Sequence, residues 1–221
     1  MQNHRPSRFH TLLGAAVLAA GASFAPMGTA DAQAGNYPAF QPPLIVQREY
    51  AIGVADGDHV TSAVFQWREG WSPVSQLSLD IGVADPENGD VKLLLGGGYA
   101  RQLNRASNDL PLDLLLTAGA YVALTDPTVF QIPVGISAGH RFDLDGGLAL
   151  TPYIHPRLAL SYCSDCGPGN DSDSDLDVVF DLGANFEVSP RLSLRAAVAF
   201  GGDRNDAIGF ALAWRPGALR R

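Results

Sequence analysis

The 221 residues carry 15 basic and 23 acidic side chains, a net of −8, which argues against nucleic acid as a partner because phosphate recognition needs an excess of cations. Beyond the first segment every apolar run is interrupted within a few positions, so none supplies the ~18 consecutive apolar residues of a transmembrane helix. If this chain spans a membrane, it does so with strands.

The N-terminus has the layout of a secretory signal: basic His4, Arg5 and Arg8, an apolar run from Leu12 to Phe24, and a small-residue exit. Ala30-Asp31-Ala32 and Ala32-Gln33-Ala34 both fit the A-x-A cleavage rule, and the cut is placed after Ala34, with Ala32 as the alternative. Removing residues 1–34 takes Arg5, Arg8 and Asp31 away and leaves 13 basic and 22 acidic side chains, a net of −9. The rest fits one domain. Residues 35–47 are expected to be an N-terminal segment in the periplasm, 48–215 the folded body, and 216–221 a short tail.

From residue 48 onward, oily and polar residues alternate in long runs, which is the signature of strands with two differently solvated faces. Ten segments are predicted, at about 48–56, 59–68, 74–84, 91–103, 111–124, 128–143, 147–162, 175–188, 191–201 and 206–215. Gly, Pro, Asn and Asp clusters such as Asp56-Gly57-Asp58 and Asp145-Gly146-Gly147 separate them, as turns require. The runs reach the ~9 to 11 residues of a transmembrane strand, longer than the ~5 to 6 common in globular sheets. The expected fold is all-β: a single antiparallel up-and-down transmembrane β-barrel of about ten strands, with eight as the alternative. Pro133, Pro152 and Pro156 donate no ladder bond and are expected to sit at bulges. Trp67, Trp71, Tyr99, Phe142, Tyr162, Phe186, Phe200 and Trp214 fall near strand ends, where membrane barrels collect aromatic residues. Tyr121 points to the inner face.

The same alternation sends Asp80, Lys92, Asp113, Arg141, His155, Arg157, Asp177, Asp181, Glu187 and Arg195 inward. Buried charges of both signs have to pair, and Arg141 and Arg157 opposite Asp181 are the expected pairing. Gly82, Gly96, Gly98, Gly119, Gly135, Gly139, Gly183 and Gly209 share that face, where small residues relieve crowding in a narrow barrel. An interior filled in this way is largely plugged, because wide aqueous channels need ~16 strands. An ion pathway through the same charges is the alternative.

Cys163 and Cys166 lie in a Gly/Asp/Ser-rich stretch of an exported chain and are expected to form a loop disulfide. Asp171, Asp173 and Asp175 have the D-x-D-x-D spacing of a calcium loop, but Leu176 and Leu182 stand where such a loop wants Gly and Glu. The stretch is read as an acidic surface loop, facing outside the cell by strand parity, with no metal site. His59 beside Asp58 is the one conceivable acid/base pair, and an Asp-His in a turn is normally a solvated face. No catalytic residues and no cofactor are expected.

Two stretches look like the short turns of a known group: Gly139-His140-Arg141-Phe142-Asp143-Leu144 running into Leu150-Thr151-Pro152-Tyr153-Ile154, and Phe186-Glu187-Val188-Ser189-Pro190-Arg191-Leu192-Ser193-Leu194. With the leader and the strand count, they make residues 45–215 resemble the small outer-membrane β-barrel, or porin-like, superfamily that includes the OmpA and OmpX type membrane domains. The resemblance implies outer-membrane lipid and the barrel-insertion machinery as partners, and a structural, adhesion or surface-interaction role without enzymatic activity. A small-solute or ion pore is one alternative. A soluble periplasmic barrel binding an apolar ligand is the other, and it needs the oily face turned inward.

Overall fold

The computed structural model describes residues 37–57, 60–87, 90–124, 128–164, 172–201 and 206–217. The leader assigned to residues 1–34 lies outside them. Ten long strands form the body: β1 (Arg48–Gly57), β2 (Val60–Ser72), β3 (Ser75–Pro86), β4 (Lys92–Asn104), β5 (Asp113–Leu124), β6 (Val129–Gly139), β8 (Ala149–Cys163), β9 (Asp173–Ser189), β10 (Leu192–Phe200) and β11 (Ala207–Trp214). Each pairs antiparallel with its neighbour, β6 pairs with β8, and β11 pairs with β1, so the sheet closes on itself and leaves no long strand with a free edge. The eight-strand alternative is thereby excluded.

The predicted sixth segment, 128–143, is shorter than expected. β6 stops at Gly139, and Phe142–Asp143 forms a two-residue strand, β7, that folds back on Leu150 and Ala149. A 3-10 turn at Asp145–Gly147 makes this reversal, with Gly146 at φ 76° and Gly147 at φ 79°, left-handed values that favour glycine. The prolines also behave differently from expectation. Pairing lapses beside Pro133 and Pro156, yet the register is the same on both sides of each gap. The register shifts lie instead at Gly70/Ser72, Gln102/Asn104 and Leu192/Ser193. A missing donor interrupts a ladder without displacing it when long flanking runs fix the alignment.

Both ends of the strand circuit, Arg48 and Trp214, lie at one end of the barrel, here called the near end. Strands β1, β3, β5, β8 and β10 end at the far end. Burial alternates residue by residue: Ile52, Val54, Leu158, Leu160, Ile208 and Phe210 are exposed on the outside, while Gln66, Asp80, His155, Asp181, Asn185 and Arg195 are buried inside. Tyr50 stacks on Phe65 and Trp214 outside the near end, and Phe180 stacks on Phe200 toward the far end.

Several inward glycines have a more local purpose than easing curvature. A Cβ on Gly96 would overlap the ring of Tyr121, one on Gly119 would come within 2.8 Å of it, and one on Gly183 would overlap the ring of Tyr153. The glycines are sockets that let two large rings lie flat against the inner wall.

Candidate functional site

Most of the inward charges lie in two groups within the lumen. Near the end that carries the termini, the carboxylate of Glu49 is fully buried and contacts three guanidinium groups: Arg68 at 3.0 Å, Arg195 at 2.7 Å and Arg215 at 2.9 Å. Arg195 also donates to Asn185 Oδ1 at 3.0 Å. Arg215 lies 3.5 Å from Glu187, which takes a further bond from Arg141 at 3.2 Å, and Arg141 pairs in turn with Asp143 at the rim. Strands β1, β2, β9 and β10 are thus pinned together by ions that have left water, an arrangement stable only while every member keeps a partner.

Deeper in, Asp181 lies 3.1 Å from both His155 Nδ1 and Arg157 Nε, and Thr117 Oγ1 is 2.8 Å from His155 Nε2. Asp80 accepts bonds from Tyr37 Oη and Gln66 Nε2, each at 3.2 Å. A cavity of about 50 Å³ adjoins Asp80 and is lined also by Tyr37, Thr117, Tyr121, His155 and Arg157 among others. The sequence Thr117–His155–Asp181 has the connectivity of a hydrolytic triad. With Tyr37, Ala39 and Gln41 in place, the adjoining space has room for water.

The segment expected in the periplasm lies elsewhere. From Tyr37 to Val46 it runs through the lumen, and Tyr37, Pro38, Phe40, Pro42, Pro43 and Val46 are all buried. Tyr37 packs into an apolar layer of Ala55, Val60, Val64, Ala84, Leu94, Ala123 and Val129 toward the far end, with its ring edge-on to Tyr121 at 6.4 Å. Phe40 packs on Ala197 and Ala211. At the near end Gln47 leaves the lumen, its carbonyl accepting from Gly70 N at 2.8 Å, and the chain turns into β1. Three prolines among ten residues cannot form a ladder, so side chains of the wall have to satisfy this backbone.

Of the predicted inward residues, Asp80, His155, Arg157, Asp181, Glu187 and Arg195 enter these two groups. Lys92 and Asp177 are buried in the far half, on β4 and β9. Two depart from expectation. Arg141 does not face Asp181; it sits half-exposed in the turn after β6 and pairs with Glu187 and Asp143. Asp113 is at the near rim, where it accepts from Ala106 N at 3.1 Å. Both lie at strand ends, where alternation gives way to turn geometry. Glu49, Arg68 and Thr117 escaped the sequence reading, although each stands on the inward parity of its strand.

Cys163 is disulfide-bonded; Cys166, its expected partner, lies outside the described residues, as do Asp171, Asp58 and His59. Asp173 and Asp175 are exposed on β9 and accept from the main-chain N–H of Ser174 and Leu176. Among the described residues no three His, Cys, Asp or Glu side chains gather as metal ligands.

No family model and no curated protein matches the sequence. Among solved structures, the chain resembles a designed transmembrane β-barrel, with 15% identity, a TM-score of 0.37, and coverage of 77% of this chain and 97% of the other. It also resembles the β domain of the Bordetella autotransporter BrkA, with 14% identity, a TM-score of 0.42, and coverage of 76% and 98%. These likenesses concern the fold alone.

Proposed function

We propose that this protein is an outer-membrane β-barrel, exported by its N-terminal leader, that serves a structural or surface-interaction role with its lumen closed. The observation that carries this reading is the sidedness of the strands: apolar residues cover the outside and charged residues fill the inside. A soluble barrel that binds an apolar ligand needs the reverse. In water the exposed Leu, Ile, Val and Phe residues would form one continuous apolar band, far beyond the patches that soluble monomers tolerate; in lipid they are solvated. The buried network and the threaded segment support closure.

Fractionation of expressed protein, followed by gel migration with and without boiling, tests the location. Recovery in the outer membrane with a heat-modifiable band is the expected result. A soluble, heat-indifferent protein would sink the proposal.

A further inference from the structure

The wall contacts the segment 37–46 in two ways that resemble ligand recognition more than strand packing. First, it reads the main chain. Arg68 Nη2 donates to the carbonyls of Ala39 at 3.4 Å and Phe40 at 3.0 Å, and Ser137 Oγ donates to that of Gln41 at 2.6 Å. Pro38, Pro42 and Pro43 have no N–H, so the segment carries more acceptors than donors, and the wall supplies donors to match. Second, the wall holds one aromatic ring in a fitted niche. A Cβ on Gly209 would stand 2.6 Å from Phe40 Cζ, and one on Gly53 would stand 3.1 Å from Cε2. With Ala197 and Ala211 these glycines leave room for a ring and for little else.

Phe40 itself is at φ 44°, and among the described residues no other non-glycine has positive φ. A bulky side chain keeps that conformation only when its surroundings impose it. The segment forms no ladder with any strand, and within the described residues it joins the barrel covalently at Gln47 alone.

We propose that the lumen is a binding site for an extended, proline-containing peptide anchored by its Phe, with Tyr37 as a second buried ring, and that residues 37–46 are its resident, exchangeable occupant. The inference rests on the reading of the chain as a membrane barrel for its consequence, which is that departure of the segment opens a polar passage. It does not need that reading for the binding itself. Covalent attachment keeps the resident copy at high effective concentration, so a free peptide competes only once the anchor is weakened.

The test uses the full chain in planar bilayers and a synthetic decapeptide, Tyr-Pro-Ala-Phe-Gln-Pro-Pro-Leu-Ile-Val, alongside the same peptide with Ala in place of Phe. The wild type is expected to stay closed. Phe40→Ala is expected to be open roughly tenfold more of the time, because an emptied aromatic niche costs a bound state at least that factor. The decapeptide should close it again, and the Ala peptide should not at the same concentration. A heat-modifiable Phe40→Ala barrel that stays closed, or that opens and responds to both peptides alike or to neither, overturns the proposal. Ser137→Ala removes a single carbonyl contact with little change in volume, and it decides the matter if Phe40→Ala yields no heat-modifiable band. More frequent opening with peptide block supports the site, and wild-type closure sinks it. Labelled decapeptide that binds Phe40→Ala in detergent, for a protein that fractionates as soluble, would keep the site and discard the membrane reading.

Discussion

The two halves of the lumen exclude water by different physics. Near the termini, Glu49, Arg68, Arg195 and Arg215 form an ionic cluster, in which each charge is tolerable only because of the others. Toward the far end, where Lys92 and Asp177 are also buried, Tyr37 fills a layer of valines, alanines and a leucine whose apolar contacts each add a little. Losing one member should therefore be abrupt in the first half and graded in the second. The ionic half specifies which strands meet, and the apolar half tolerates variation in how they fill space.

Glu49→Gln should give the largest effect. It keeps the shape of the side chain, takes the anion from Arg68 and Arg195 and leaves Arg215 with Glu187, at a cost of about 3–5 kcal/mol. A urea titration followed by the heat-modifiable band should show a large fall in midpoint, and Glu49→Gln with Arg195→Met should recover part of it. An unchanged midpoint in the single variant would erase the contrast between the halves. Tyr121→Ala comes next, at about 3 kcal/mol, the low end for a buried aromatic ring, since it empties the socket formed by Gly96 and Gly119 beside Tyr37. Here the fall should be smaller than for Glu49→Gln; a larger one would mean that the apolar half governs stability. Arg48→Ala should be the mildest. Its bidentate pair with Glu69 at 2.7 and 2.8 Å lies on the exposed rim, where ion pairs add little. The same titration should not separate it from wild type, and a clear shift would show that the rim acts with the buried cluster.

The strands were legible because alternation over long runs survives inspection of a single sequence. Leu148 to Tyr162 declares its two faces whatever the register of its neighbours. The sign of those faces was not legible: an oily face lies inside one kind of barrel and outside another, and only closure of the sheet decides. Partners were harder still. Arg157 and Asp181 were paired correctly because they lie on adjacent strands. Arg195 finds Glu49 only through closure, across 146 positions of sequence. The segment from Tyr37 to Val46 has no period at all, and a proline-rich stretch looks the same in sequence whether it lies in solvent or in a lumen.

The seam between β1 and β11 sets an order of assembly. Glu49 meets Arg68 within its own hairpin, 19 residues away, but meets Arg195 and Arg215 only across 146 and 166 residues. Contacts that distant form late, because the loop they close is nearly the whole barrel. Until then Glu49 has one cation in place of three. Closing the seam gives Glu49 its remaining partners, so that a single carboxylate works as the latch of the finished ring.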